Sequence, residues 1–430
     1  MKTLIYSLLG LCIGFYANAK EMAIEKSAHV TVSASGLDRL NLDAKNTKTY
    51  IEIWDKNEIS VDATFYYRGQ EDHEKIKKFM ASFEENVKAG ITKLDSELNI
   101  NTYRAVPSKK QIGWARFVVV DLEFSDDEAK LVYNLKVPAS LFMNIKHSYK
   151  DLLIKGNIDN IQIEQYSGRL SLDKVNKASL NLKYGDANIV ELKEADIMLY
   201  EQKLYGEKWG DIKLNAKYSE LRIRTMNSLS GDGYETKYRF VGLKKLGGNY
   251  KYSRFEVEKM EQAELLCYEF NLETQSIKNL KLLNSKYSNY RIDTVGTLTI
   301  SQSYEDDYSL QIVKNVYSAD SKYSKFMIGA LRGDFTLSGY ECRVNTTSVL
   351  GKTGKIDITG KYLNISMGLK NRPYKLDASM QYGKLNYPES LTGNYTQKGT
   401  NTNASLSSPK LGADFYTVKV SGYEIQMEIR

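Results

Sequence analysis

Apolar and polar positions fall on a repeating grid through the middle of the chain. After Tyr218 come Leu221, Ile223 and Met226; after Tyr252 come Phe255, Val257 and Met260. The same offsets after Tyr287 hold Tyr290, Ile292 and Val295, and after Tyr323 they hold Phe326, Ile328 and Leu331. Offsets of three and five are period two, the pattern of a strand with one buried face. The apolar residue at eight breaks that period and marks a corner. A second alternating pair follows, Leu298 and Ile300 in one unit, Phe335 and Leu337 in another. Strand, corner and strand in about 17 residues predict one rung of a right-handed parallel β-solenoid.

The tyrosines carry the same period. Lys-Tyr followed by Gly or Ser occurs at Tyr184, Tyr218, Tyr252, Tyr287 and Tyr323, in steps of 34, 34, 35 and 36 residues. A second tyrosine, without the lysine, follows each one by 16 or 17 residues, at Tyr200, Tyr234, Tyr268, Tyr304 and Tyr340. Tyr149 and Tyr166 extend the series upstream, with Leu152 and Ile154, then Leu170 and Leu172. Tyr362 and Tyr382 extend it downstream at looser steps of 22 and 20. Charge decides between rungs of about 17 and about 35 residues. The longer rung would stack Lys183, Lys217, Lys251, Lys286 and Lys322 about 5 Å apart, and like charges facing one another across a ladder destabilise it. With the shorter rung the lysines stand on alternate rungs and the tyrosines on every one. No proline occurs from 139 to 372, as a stack paired on both sides requires, because proline lacks a ladder donor.

Upstream the pattern changes. Alternation at Val30 and Val32, Leu40 and Leu42, Ile51 and Ile53, and Ile59 and Val61 predicts a small antiparallel sheet over 29–66, with Asp55 to Glu58 as a turn. Residues 72–89 carry Ile76, Phe79, Met80, Phe83 and Val87 on one face at helical spacing. Asp72 is the candidate cap and Gly90 the candidate stop. Strands are expected again at 97–104, 116–124 and 130–137, with turns at Gly113 to Arg116 and Ser125 to Glu128. Residues 383–413 are rich in Gly, Ser, Thr and Asn and predict loops; the strands Phe415 to Val420 and Tyr423 to Ile429 are expected to close the far end. The division is therefore 1–19 as a secretory signal, 20–137 as an N-terminal capping β-domain with its helix, 138–382 as the solenoid, and 383–430 as the closing segment. The fold class is all-β.

The signal rests on Lys2, the apolar run Leu4 to Phe15, and Ala17-Asn18-Ala19 as a small-x-small cleavage site, with the mature chain beginning at Lys20. Leu11 before Cys12 argues against a lipoprotein. Export places the protein in the periplasm, on the outer surface or outside the cell. No later stretch reaches the length and hydropathy of a membrane span. Cys267 and Cys342 stand four rungs apart, about 19 Å, beyond the roughly 7 Å a disulfide allows. Both are expected as free, packed thiols.

Val137-Pro138, then Phe142-Met143-Asn144-Ile145, then Ser148-Tyr149-Lys150-Asp151-Leu152-Leu153-Ile154 resembles the entry into the adhesin β-solenoid proteins of Gram-negative bacteria. Their motif is Val-Pro, an alternating strand, Tyr-Gly-Asp and another alternating strand. Lys150 replaces the glycine here, while Tyr184-Gly185-Asp186 keeps it. Tyr50 to Val61 is similar to that family's N-terminal hairpin. The resemblance implies a solenoid and an adhesin-like role. It carries over no catalytic residue.

Composition narrows the chemistry. The net charge of +7 over 430 residues is too mild for a nucleic-acid binder. The anomaly is 32 Tyr against 13 Phe and 3 Trp; tyrosine suits half-buried strand positions. His29, His73 and His147 are not paired at metal spacing. Thr346 to Thr353 approaches a phosphate-binding loop, but Thr346 stands where glycine is required and an alternating strand follows where a helix is needed. Asp306-Asp307 and Asp126-Asp127-Glu128 lack the ligand spacing of a calcium loop and read as solvated turns. No cofactor or metal is expected. The candidate site is the series Lys183, Lys217, Lys251, Lys286 and Lys322, a stripe able to attract a polyanion such as a glycan or envelope polymer. These features point to an exported, non-enzymatic β-solenoid, an adhesin-like or envelope scaffold. The alternatives are a polysaccharide-degrading parallel β-helix enzyme and a periplasmic regulatory partner.

Overall fold

The computed structural model describes residues 22–69, 73–102, 129–369 and 372–430. Within them the fold is a parallel β-solenoid with one short helix near the N-terminus. The expected signal, Asp72, and the strand at 116–124 with its flanking turns lie outside the described residues. The chain divides into two compact units, Met1–Ile189 and Val190–Arg430.

In the second unit, residues about 17 apart in sequence become neighbours in space. Strand Glu220–Tyr234 pairs in parallel with Lys203–Lys217 on one side and Lys237–Lys251 on the other, so that Leu221 stands between Leu204 and Tyr238. Side chains that share a column point the same way on every coil. The inward column Leu204, Leu221, Tyr238, Phe255, Leu272, Tyr290, Tyr308 and Phe326 is fully buried. At the strand spacing of about 4.8 Å, aromatic neighbours in one column meet face to face. Tyr238 and Phe255 lie 4.0 Å apart at 17°, and Tyr290 and Tyr308 lie 5.0 Å apart at 7°. The positions read as inward from the sequence, among them Ile223, Met226, Val257, Met260, Ile292 and Val295, are all buried.

The first unit opens with a coil out of sequence order. Arg39–Lys45 lies between Glu97–Asn101 and Phe142–Ser148, parallel to both. Thr47–Trp54 likewise lies between Ala129–Pro138 and the strand beginning at Leu152. Residues 39–54 are therefore a solenoid coil and not part of an antiparallel sheet. Alternation identifies a strand, but its partner is set by residues about a hundred positions away. The antiparallel expectation holds for the remainder: Met22–Ser33 pairs with Glu58–Gly69, which pairs with Ala129–Pro138. That layer covers a coil edge that would otherwise be open to another chain. The helix, His73–Gly90, matches its expected span. It buries Ile76, Phe79, Phe83 and Val87, and sets the ring of Phe79 edge-on to Phe65 at 4.9 Å.

The far end repeats this device. Tyr416–Tyr423 does not close the stack; it is inserted between Gly354–Lys361 and Tyr374–Gln381. Gln426–Ile429 is inserted in the same way between Asn364–Met367 and Lys384–Asn386. The outermost element is an antiparallel hairpin of Thr392–Lys398 and Asn401–Ser407 laid on Tyr374–Gln381. The loops expected over 383–413 are largely this hairpin. Its inward residues include Thr402, Ala404 and Leu406, two of them small, so the alternation is faint in sequence.

Candidate functional site

Each coil of the second unit turns through a single residue with left-handed backbone. Tyr218, Glu235, Tyr252, Glu269, Tyr287, Glu305, Tyr323 and Glu341 have φ between 47° and 57°. Such a conformation costs a residue with a β-carbon roughly 1–2 kcal/mol. The sequence at the corner alternates between Lys-Tyr and Tyr-Glu. In the column before the corner Lys217 faces Tyr234, Tyr234 faces Lys251, Lys251 faces Tyr268, Tyr268 faces Lys286, and the order continues through Tyr304, Lys322 and Tyr340. The lysines thus stand on alternate coils, as their spacing predicts. The rings come from two adjacent columns in turn, so they mesh edge to face. Tyr200, Tyr218, Tyr234 and Tyr252 follow one another at 5.6, 5.6 and 5.3 Å with interplanar angles of 71–81°. The row runs on through Tyr340, Tyr362, Tyr423 and Tyr382. In the first unit Tyr149, Tyr166 and Tyr184 form the same contact at 5.5 and 5.0 Å, and Lys183 is exposed beside them. These edge-to-face pairs stabilise a backbone turn that is otherwise unfavourable.

The lysine stripe is not of one sign. Glu201, Glu235, Glu269, Glu305 and Glu341 occupy the corner on the coils between the lysines, and all are exposed. Lys322 also has Asp320 at 3.7 Å. Glu341 accepts from the Tyr340 hydroxyl and holds it above its usual range chiefly through that bond. The signal for this was present in the sequence, since each tyrosine without a lysine is followed by Glu at Tyr200, Tyr234, Tyr268, Tyr304 and Tyr340.

Behind the corner runs a buried polar column. The Ser219, Thr236, Ser253, Ser288 and Ser324 hydroxyls each donate to the carbonyl two residues back, at 2.7–3.0 Å. The same oxygens accept amides from the coil before: Gln202 N donates to Ser219 Oγ, Thr236 N to Ser253 Oγ and Phe270 N to Ser288 Oγ, at 3.2–3.3 Å. A sharp turn leaves these amides pointing inward, and an unpaired buried amide costs free energy. Asp306 occupies this column and is fully buried, correcting the solvated turn expected for it. It accepts bonds from Ser288 N at 2.8 Å, Ser303 Oγ at 2.8 Å and Tyr308 Oη at 3.2 Å. Asp307, beside it, faces outward and pairs with Lys325 at 3.2 Å.

The other surface feature is a groove. Inward positions in a coil are spaced by two at Leu221 and Ile223, then by three at Met226 and Leu229. Two successive threes bend the chain on both sides of Met226, so the backbone there dips toward the axis. Repeated from Leu192 to Gly296, the dip forms an open channel of about 950 Å³. Leu192, Trp209, Met226, Leu243, Met260 and Ile277 line it along the stack. A β-carbon at Gly210 would lie 2.1 Å from the Lys193 carbonyl oxygen, and one at Gly296 would lie 2.4 Å from that of Lys278, so no side chain fits at these two places in the column that holds Lys244 and Lys278. The banks carry Lys193, Lys208, Lys244, Lys259 and Lys278 against Glu191 and Glu261. Lys278 has Glu261 at 3.8 Å. Lys193, Lys208, Lys244 and Lys259 are exposed and form no ion pair among the described residues.

The remaining candidates are accounted for by packing. Cys267 and Cys342 are free and buried, and burial pushes the Cys267 thiol up to about 12. His147 is buried, with its pKa lowered to about 4 by loss of water. His29 is exposed and bonds Asp62 at 2.6 Å. Thr346 lies in strand Arg343–Val349, fully buried, and strand Gly354–Lys361 follows. Asp126-Asp127-Glu128 lies outside the described residues. Among the described residues no group of three or more His, Cys, Asp or Glu is placed to hold a metal ion, and no helix is long and apolar enough to cross a membrane.

No protein-family model and no curated protein matches the chain. Two solved structures match over most of its length. One is a "putative cell adhesion protein" from Clostridium sporogenes, 10% identical, covering 95% of this chain and 100% of its own, with a TM-score of 0.17. The other is a "putative lipid binding protein" from Parabacteroides distasonis, 11% identical, covering 77% of this chain and 96% of its own, with a TM-score of 0.19.

Proposed function

We propose that this chain is an exported, non-enzymatic β-solenoid that serves as an adhesin-like or cell-envelope binding scaffold. The observation that carries the reading is the corner row. In the second unit one tyrosine per coil, from Tyr200 to Tyr382, is held by its neighbours at the coil spacing, alternately half-buried and exposed, beside alternating Lys and Glu. A row of this kind presents one group many times, which suits a repetitive partner. It does not converge several unlike groups on one point, as catalysis requires.

The test is binding of the mature chain to a panel of envelope and host glycans, with Lys217, Lys251 and Lys286 replaced by Glu in a comparison protein. Binding to a polymer of repeating units supports the scaffold; silence across the whole panel removes it. The lysine-lined groove keeps one second reading in view, cleavage of acidic polysaccharide. That reading gains if incubation releases unsaturated products and falls if the polymer is recovered intact.

A further inference from the structure

We propose that the groove from Leu192 to Gly296 is the ligand site, and that it takes a linear acidic polysaccharide lying along the direction in which the coils stack. This rests on the scaffold reading and moves its polyanion contact from the corner to the groove. Three observations carry it.

The first is charge. The banks hold five lysines against two glutamates, and only Lys278 is partnered. On one bank Glu261 stands between Lys244 and Lys278, while Lys193, Lys208 and Lys259 have no such partner; at the corner every lysine coil alternates with a glutamate coil. A concave site with an excess of one sign focuses its field and draws the opposite charge.

The second is the spacing of the lysines. Lys244 and Lys278 stand two coils apart on one bank, about 10 Å. Lys208 and Lys259 stand three coils apart on the other, about 14 Å. Such intervals suit a chain that carries one carboxylate every second or third sugar. They are too sparse for a backbone charged at every unit.

The third is what the groove lacks. Its backbone is already paired to coils on both sides, so a peptide cannot add as a strand. Trp209 points inward and is buried, so no aromatic face is available to stack a nucleobase. What remains beside the lysines is a row of short polar groups, Thr225, Asn227, Ser276 and Thr294, suited to sugar hydroxyls.

The experiment compares three full-length mature proteins: wild type, Lys208→Glu/Lys244→Glu/Lys259→Glu in the groove, and Lys217→Glu/Lys251→Glu/Lys286→Glu at the corner. All six positions are exposed, and melting curves confirm that each protein is folded. Probes are hyaluronate, which carries one carboxylate on every second sugar, neutral dextran, poly-glutamate and a single-stranded oligonucleotide, by calorimetry at low and high salt. The groove variant is expected to lose hyaluronate affinity about tenfold or more, and the corner variant to change about twofold or less. Equal losses in both variants, or tighter binding of poly-glutamate or the oligonucleotide than of hyaluronate, overturn the inference. If hyaluronate fails while other envelope glycans still bind, only the groove assignment falls. If no glycan binds at all, the scaffold reading falls with it.

Discussion

The Tyr308 hydroxyl donates to the buried Asp306 carboxylate at 3.2 Å, from a ring stacked between Tyr290 and Phe326. A carboxylate shut away from water titrates above its usual range, and loss of solvation is the main cause here. The protonated acid is then the form the fold prefers. Its stability is fully present below the ordinary carboxylate range near about pH 4, and it is lost as pH rises through the folded value. Asp306→Asn removes the charge. It should melt with wild type in acid and above it near neutrality, as thermal unfolding across pH would show. Asp306→Leu should be less stable at every pH by about 1–3 kcal/mol for each donor left without an acceptor.

The left-handed corner gives a paired test. Glu235→Gly relieves the backbone without removing a ring, so it should stabilise by about 1 kcal/mol. Tyr252→Gly gives the same relief but deletes the ring between Tyr234 and Tyr268, at 5.3 and 5.4 Å. Two aromatic pairs of about 0.5–1.5 kcal/mol each, with the lost apolar contact, should make it destabilising. Opposite signs in chemical denaturation are the expected outcome. Two gains would show that the row adds nothing to stability.

Ser253→Ala deprives the buried amide of Thr236 of its acceptor. A loss of about 1–3 kcal/mol is expected. Ser253→Thr keeps the hydroxyl and should recover most of it, since Thr236 fills the same column in the coil before. Guanidinium titration reads both.

Burial holds the Cys267 thiol protonated and covers both sulfurs. Native protein should leave Cys267 and Cys342 unlabelled by an alkylating reagent at mildly alkaline pH, while denaturant should expose both. Peptide mapping by mass spectrometry assigns the sites.

The coils were legible because a parallel stack writes its geometry into the chain as a fixed step. Leu221, Phe255, Tyr290 and Phe326 announce their column without reference to anything remote. The ends were not legible, because Arg39–Lys45 and Tyr416–Tyr423 owe their places to strands far along the chain. At the corner the lysines were visible, and so were the glutamates that balance them. The groove is hidden for another reason. It arises from a change in spacing from two to three around Met226, and its lysines recur at unequal intervals, so no period marks them.

The interleaving of Tyr416–Tyr423 between Gly354–Lys361 and Tyr374–Gln381 bears on how this molecule is made. A simple stack could grow one layer at a time behind the ribosome. Here the layer at Tyr374 must wait, its edge bare, until some forty further residues have arrived to slide in beneath it. The distal end is thus fastened late, by a latch that keeps an unfinished polypeptide from assembling into the complete article.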